Sequence, residues 1–363
     1  MRIKSAETTQ AIGTGNLVIL GGSGDVGQRL IRLLAAHAEW KIWSVSRRGP
    51  AVDTTHPNVA AITLDVASPE AANSLPEGAI FVNLTEATPP ELVATILAKG
   101  GIVLDTSASP DYVDDQNRVA VGKTGRLITG VGTAPGLSTL MGADLARDGR
   151  VRTLRIGLEL GMGRHFGQAA AEWFFRALGK PYDDPATGRA TFPGTNPWRF
   201  KFAPTETPRM ALDIGFPDAG IFPDGREESV RHYLAVDPRL VTRLIAATQR
   251  LGFGRWMAKN SIRLTRLSRW LPQIGPTRTR IAAVAFDRDG KEIASHLFEG
   301  GDQADLTASM ILLTVESICS SDAGQEGGNS IVDHLDLAQA VRGLARHFPE
   351  TMSINTFTRQ SPN

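Results

Sequence analysis

Residues 17–27 read LVILGGSGDVG, an apolar run followed by glycines at three-residue spacing. Between a strand and a helix, such glycines permit a tight turn, leave room for a pyrophosphate and let the helix approach the strand. The N-terminus of that helix offers unpaired N–H groups to the phosphates. The pattern therefore predicts a dinucleotide site, with a plain glycine turn as the alternative. The predicted contacts are consecutive residues: Gly21, Gly22, Ser23, Gly24, Asp25, Val26 and Gly27.

The identity of the dinucleotide depends on the end of the second predicted strand. Arg47 lies twenty residues after Gly27 and is followed by Arg48. NAD sites place Asp or Glu at about this distance to bind the ribose, whereas a guanidinium can bind a 2′-phosphate with two hydrogen bonds. We therefore predict NADPH, the alternative being a solvated arginine pair. Further predicted contacts come from the ends of the second and third strands: Ser46, Asp65 and Val66.

A second group of candidate residues follows a predicted strand in LELGMGRHFGQ, residues 158–168. Imidazole is a natural proton donor near neutral pH, so His165 is the predicted general acid. The neighbouring Arg164 can bind a substrate carboxylate. The alternative places both side chains in a surface loop. Arg278 and Arg280, which alternate along a later strand, are another candidate anion site, the alternative being solvent-exposed charges on a single strand.

Composition argues against several other functions. The 39 Lys and Arg residues nearly balance the 38 Asp and Glu residues, so the overall charge suggests no nucleic-acid partner. The single cysteine, Cys319, forms no intrachain disulfide, and the seven histidines lack metal-ligand spacing. We predict no metal site. The N-terminal residues lack the apolar core of a signal peptide, so we expect a cytoplasmic protein. We also expect it to bind a small-molecule substrate and to form a homo-oligomer.

The elements that position these residues fall into two patterns. Residues 16–131 alternate buried-looking strands with amphipathic helices, which predicts a Rossmann-type doubly wound parallel sheet. Later strands are more widely spaced, and the Asp-Gly pair in 287–292 predicts a hairpin in a mixed or antiparallel sheet of a second α+β domain. Residues 183–208 are predicted to form a long loop. The predicted domains are 1–134 for NADP binding, 135–300 for substrate, and a C-terminal helical segment, 301–363, that packs on the Rossmann domain.

Three stretches make the chain resemble the saccharopine dehydrogenase-like family of NAD(P)-binding oxidoreductases. They are VILGGSGDVGQRL (18–30), AKGGIVLDTSASPDYVDD (98–115) and GVGTAPGLSTLMGADLA (130–146). The resemblance implies that the second stretch ends near the nicotinamide and that the third crosses into the substrate domain. It also implies hydride transfer to or from a C–N bond of an amino-acid-like substrate. The family often continues with Gly-Glu after the aspartate, whereas DTSASP follows here, so the resemblance does not identify the substrate.

Residues 252–272 leave a different interpretation of the molecule open. The segment predicts a basic amphipathic helix of the kind that lies on membrane surfaces, with a lid or interdomain helix as the alternative. It leaves two other functions open: a peripheral membrane reductase of a lipid-like acceptor, and a non-catalytic NADPH-binding regulator. The predicted helix sets basic residues against apolar ones: Arg255, Lys259, Arg263 and Arg266 against Phe253, Trp256, Leu264, Leu267 and Leu271.

Overall fold

The computed structural model describes most of the chain. The described residues are 15–49, 56–77, 79–164, 166–217, 221–222, 229–270, 272–320, 329–348 and 353–358.

The first sheet contains six parallel strands in the order β3-β2-β1-β4-β5-β6. This is the doubly wound order of dinucleotide-binding domains and confirms the predicted fold class. The strands are β1 Gly15–Leu20, β2 Trp40–Ser46, β3 Val59–Thr63, β4 Ala79–Asn83, β5 Ile102–Asp105 and β6 Arg126–Ile128. The helices of this part are α1 Asp25–Leu34, α2 Ala71–Ser74, α3 Pro90–Ala98 and α4 Pro110–Ala120.

Consecutive apolar residues in β1 serve two separate cores. Leu17 and Ile19 pack in a cluster on one face of the sheet, while Val18 and Leu20 pack in a cluster on the other. Successive side chains of a strand point to opposite faces, so a strand covered on both sides must be apolar at every position. This explains why the sequence pattern predicted a buried parallel sheet correctly.

The second sheet is mixed, with the strand order β10-β11-β12-β7-β13-β14-β15. β12 runs parallel to β7, and the other pairings are antiparallel. The predicted hairpin joins β13 to β14, where Gly290 adopts φ +74°. The strands are β7 Thr153–Met162, β10 Trp198–Phe200, β11 Arg209–Ile214, β12 Ser229–Asp237, β13 Ile274–Phe286, β14 Glu292–Gly300 and β15 Ser353–Thr358.

The sequence-based predictions fail in three places. Residues 183–208 are not one long loop, because β8 (Tyr182–Asp184) and β9 (Arg189–Thr191) form a small hairpin and β10 joins the second sheet. The strand β15 was not predicted at all. The predicted helix over 252–272 is two helices that meet at Asn260, whose side-chain amide donates to Trp256 O over 2.9 Å. Such side-chain bonds to the backbone compete with helix continuation.

The remaining helices cover the second sheet and join it to the first. α10 is apolar on nearly all sides because Ile311 and Leu312 face the core of the first sheet, while Met310 and Leu313 face that of the second. No helix within the described ranges is long and apolar enough to cross a bilayer. These helices are α5 Leu137–Ala146, α6 Gln168–Ala177, α7 Arg239–Arg250, α8 Gly254–Lys259, α9 Ser261–Ser268, α10 Gln303–Ser320 and α11 Leu337–His347.

Candidate functional site

The glycine loop between β1 and α1 has a shape that larger residues could not adopt. Gly21 has φ +90°, a conformation that favours glycine. A Cβ on Gly22 would lie 2.3 Å from Ser44 Oγ of the adjacent strand. A Cβ on Gly27 would lie 2.6 Å from Gly22 O. These glycines are therefore required by the packing of the protein itself.

Gly24 differs from its neighbours. Its φ of −72° is accessible to any residue, and a Cβ there would approach only Gly21 O, at 3.1 Å. The space beside Gly24 is therefore open on the side where a pyrophosphate would lie. Gly24 also precedes helix α1, whose first N–H groups, on Asp25, Val26 and Gly27, have no acceptor within the helix. The loop thus fits a dinucleotide phosphate.

The loop is braced from within and from β2. The Gln28 side-chain amide donates to Ser23 O over 2.9 Å. The N–H groups of Gly21 and Gly22 both donate to Val45 O, over 3.0 and 3.1 Å. The loop is thereby held against the end of β2, which carries the predicted specificity residues.

Two unpaired cations follow β2. Arg47 and Arg48 are exposed, and neither makes a hydrogen bond or ion pair with another described residue. Ser46 is buried, and its hydroxyl donates to Gly49 O over 2.9 Å, which shapes the turn that presents the two arginines. No described carboxylate pairs with these two guanidiniums, so they are available to a ligand.

The two residues predicted to flank the adenine are placed differently from each other. Asp65 is exposed, and its carboxylate accepts from Ala67 N over 3.1 Å. The Val66 side chain is packed in the core beside Val18 and Leu20. A contact of Val66 with adenine would therefore have to come from its backbone.

Arg164 lies at the glycine loop as part of an ion-pair network. Its Nη2 is 2.7 Å from Asp25 Oδ1, and its Nη1 is 3.3 Å from Asp302 Oδ2. Arg29 of α1 contacts both of these carboxylates and also Asp305 of α10. The network joins the end of β7, the start of α1 and the start of α10. Arg164 is thus paired with protein carboxylates, which compete with its predicted role as a ligand of a substrate carboxylate.

His165, the predicted proton donor, lies outside the described residues. The chain on its C-terminal side is close to the cofactor loop, because a Cβ on Gly167 would lie 3.3 Å from Asp25 Cβ. Arg164 and Gly167, both described, therefore lie at the start of α1.

A buried polar cluster at the ends of β4 and β5 was missed at the sequence level. The Asn83 amide donates to Asp105 Oδ2 over 2.5 Å and to Tyr112 Oη over 2.9 Å, and Thr88 Oγ1 donates to Asn83 Oδ1 over 2.7 Å. Ser107 N donates to Asp105 Oδ1 over 2.7 Å. Burial raises the pKa of the Asp105 carboxyl. The cluster fixes the loops after β4 and β5, at the end of the sheet where ligands bind in this fold. Polar residues that close two apolar strands, IFVN and IVLD, were the available signal.

The predicted anion site at Arg278 and Arg280 is not free to bind an anion. Arg280 is fully buried and pairs with Glu159, itself 2% exposed, and with Glu206 over 2.8 Å. Arg278 pairs with Asp237 over 3.0 Å. Both guanidiniums are therefore neutralised by protein carboxylates, and this prediction is wrong. Among the described residues, no group of three or more His, Cys, Asp or Glu side chains could hold a metal ion.

Comparison with known proteins identifies the first part of the chain. Residues 16–125 match the family model described as semialdehyde dehydrogenase, NAD binding domain. A Thermomicrobium roseum protein, provisionally named LysW-L-2-aminoadipate 6-phosphate reductase, is 38% identical over 97 residues, 26% of this chain and 27% of that relative. The alignment therefore spans about a quarter of that relative's length.

A solved structure extends the likeness to the whole fold. Apo saccharopine dehydrogenase (L-Glu forming) of Saccharomyces cerevisiae aligns over 94% of this chain and 100% of its own, with a TM-score of 0.55 and 13% identity. At this identity the likeness concerns the fold. Residues 16–125 are thus an NAD(P)-binding domain, the chain has the fold of saccharopine dehydrogenase, and the comparisons together support an NAD(P)-dependent oxidoreductase.

Proposed function

We propose that the protein is an NADPH-dependent oxidoreductase that transfers hydride to or from a C–N bond of an amino-acid-like substrate. The observation that carries the proposal is the glycine loop at the head of a Rossmann sheet, in a chain that shares the fold of saccharopine dehydrogenase. The choice of an imine or secondary amine rests on the family resemblance. The predicted boundaries near residues 134 and 300 separate cofactor and substrate domains in this proposal.

The preference for NADPH rests on Arg47 and Arg48. Both guanidiniums are exposed and unpaired among the described residues, so they can meet a 2′-phosphate without first breaking an ion pair. Asp65, the acid among the predicted contacts after β3, accepts a hydrogen bond from Ala67 N in its own turn. An NAD site would instead place a carboxylate where Arg47 stands.

The chain's residues have separate roles in this proposal. The bound nicotinamide supplies or accepts the hydride. The loop from Gly21 to Gly27 binds the pyrophosphate, and the Asn83–Asp105 cluster orients the loops beside the nicotinamide. His165 transfers a proton to or from the substrate nitrogen. Arg164 fixes the segment that carries His165 and offsets negative charge at the phosphate site.

A second chemistry, reduction of an acyl phosphate or semialdehyde, is suggested by the names of the matched family and relative. Covalent acyl transfer through a thiol would need a cysteine at the site. The single cysteine, Cys319, lies near the end of α10 and packs against the core of the first sheet. Its position therefore favours the C–N chemistry.

Two other functions and two properties of the molecule stay predictions. The chain could be an NADPH-binding regulator without turnover, or a membrane-associated reductase of a lipid-like acceptor. A homo-oligomeric assembly and a cytoplasmic location are also predictions from the sequence.

The function is tested by mixing the protein with NADPH and pairs of 2-oxo acids and amines while the NADPH absorbance is followed. We expect oxidation of NADPH with at least one pair. His165→Ala should lower turnover by about 100-fold with little change in NADPH affinity, because a positioned proton donor acts on the chemical step. His56→Ala, at an exposed histidine, is the matched control. Tight NADPH binding without turnover would favour the regulator, and unchanged turnover in His165→Ala would remove that residue from the mechanism.

A further inference from the structure

Exposed apolar side chains are concentrated in one part of the chain. Among the described residues, eleven large apolar side chains are exposed, and nine of them lie between 240 and 274. Trp270 is 87% exposed and Trp256 is 55% exposed. Exposed apolar side chains gathered in one segment are typical of interaction sites. The nine are Leu240, Leu244, Leu251, Phe253, Trp256, Ile262, Leu267, Trp270 and Ile274.

The same segment is strongly basic. Residues 238–274 contain eight Lys and Arg residues and no Asp or Glu. Because the whole chain has a formal charge of +1, the remaining residues carry a net charge of −7. The near-neutral total therefore conceals a separation of charge. The basic residues are Arg239, Arg243, Arg250, Arg255, Lys259, Arg263, Arg266 and Arg269.

The helices α7, α8 and α9 present these residues outward because their inner sides are fixed. α8 and α9 pack on α6, and a Cβ on Gly179, just after α6, would lie only 2.3 Å from Gly254 O. α7 packs on β11 and β12 through its buried Thr242 and Ala246. The exposed apolar and basic side chains of 239–274 are called the basic aromatic face below.

We propose that the basic aromatic face docks on the surface of an anionic lipid bilayer. Tryptophan favours the membrane–water interface, and Lys and Arg beside it attract anionic headgroups. None of the described helices could cross the bilayer, so docking would be peripheral. The structure extends the membrane hypothesis from residues 252–272 to α7 and Ile274.

Two other occupants of this face are disfavoured, a second copy by charge and a nucleic acid by the exposed apolar side chains. In a dimer with two-fold symmetry, the eight cations of one copy would face the same eight cations of the other copy and repel them. A nucleic acid would satisfy the cations, but the exposed aliphatic residues Leu240, Leu244, Ile262 and Leu267 would have no matching surface along a phosphate backbone. An anionic bilayer matches both the charge and the apolar side chains.

The face is also close to the candidate site. Thr265 and Ser268 of α9, together with Arg269 directly after it, line a cavity of about 40 Å³ that Arg164 also lines. Arg164 in turn contacts Asp25 of the cofactor loop. Docking would therefore place the cofactor loop near the bilayer, although the docking proposal does not depend on the proposed reaction.

The test is sedimentation of the full chain with vesicles of phosphatidylcholine alone or mixed with phosphatidylglycerol. We expect binding to the anionic vesicles at low salt, weakening as salt is raised. The pair Trp256→Ser with Trp270→Ser, and the pair Arg263→Gln with Arg266→Gln, should each reduce binding at least about tenfold. Matched controls are Val121→Ser and the pair Arg118→Gln with Arg147→Gln, whose side chains are exposed elsewhere.

Several results would overturn the proposal. One is a wild-type protein that stays in the supernatant with anionic vesicles at low salt, which requires no variant to fold. Another is equal binding by the face variants and the controls. If the protein does not bind vesicles but forms a dimer that these substitutions dissociate, the face binds a second copy. If it does not bind vesicles but binds duplex DNA, the face binds nucleic acid.

Discussion

Arg164, just beyond the end of β7, lies 2.7 Å through its Nη2 from Oδ1 of Asp25, the first residue of α1. The two residues are 139 positions apart in the chain, and the elements next to them, β1 and β7, belong to different sheets. Their contact joins the end of β7 to the helix whose N-terminus faces the proposed pyrophosphate. The position of the second sheet and the charge at the cofactor loop are therefore linked by one ion pair.

This ion pair predicts that removing the charge of Arg164 weakens the binding of NADPH and of NADH to the same extent. Arg164→Gln leaves Asp25 with only Arg29 to offset its charge, so NADPH and NADH should both bind several-fold more weakly. A partly exposed pair is worth about 0.2–1 kcal/mol, which sets the size of the effect. Titration calorimetry measures it, with Arg147→Gln, at another exposed pair, as control. A loss confined to NADPH would place Arg164 at the 2′-phosphate and contradict this account.

The buried polar cluster at the ends of β4 and β5 predicts a graded loss of stability. Tyr112→Phe removes the hydroxyl that donates to Thr88 O over 2.9 Å, and should lower the free energy of unfolding by about 1 kcal/mol. Asn83→Leu should cost more, about 1–3 kcal/mol, because it takes a donor from the buried Asp105. Urea unfolding measures both. The reverse order of the two variants would show that Asn83 does not organise the cluster.

The buried His232 should account for part of the decrease in the free energy of unfolding at acid pH. Burial lowers its pKa to about 3, and its ring lies 5.4 Å from that of Phe216. Below about pH 6.5 the unfolded chain binds a proton that the native chain does not, so the free energy of unfolding falls as the pH falls.

The test of this prediction is urea unfolding at two pH values. His232→Gln should remove about 2 kcal/mol of the decrease in unfolding free energy between pH 7 and pH 5. His56→Gln, at an exposed histidine, should leave the decrease unchanged. Wild type and His232→Gln with parallel pH profiles would show that His232 is protonated in the native state.

The sequence predicted features whose signals are local. The glycine loop, the apolar run of β1 and the Asp-Gly turn before β14 each lie within about a dozen consecutive residues, and the structure has all three elements. The strands β8 to β10 were missed because each has three residues, too few to show a period. β15 pairs with β14, from which more than fifty residues of chain separate it, so no local sequence pattern predicts that pairing.

The site was predicted unevenly for the same reason. Arg47 could be located by its distance from Gly27, because the strand–turn–helix unit fixes that spacing. The partners of Arg164 and Arg280 could not, because Asp25 and Glu159 lie more than a hundred residues away from them along the chain. Because Arg280 is buried, its guanidinium pairs with Glu159 inside the protein and does not form the predicted anion site.

The central claim is that the glycine loop and Arg47 bind NADPH, and the direct test compares the two dinucleotides by calorimetry. Wild type should prefer NADPH, and Arg47→Ala should weaken NADPH binding by about 10- to 100-fold while NADH binding hardly changes. Arg118→Ala is the exposed control. Gly24→Val should abolish binding of both, since its backbone accepts a side chain that would fill the space of the pyrophosphate. Equal losses of both dinucleotides in Arg47→Ala, or a wild type that prefers NADH, would contradict the account.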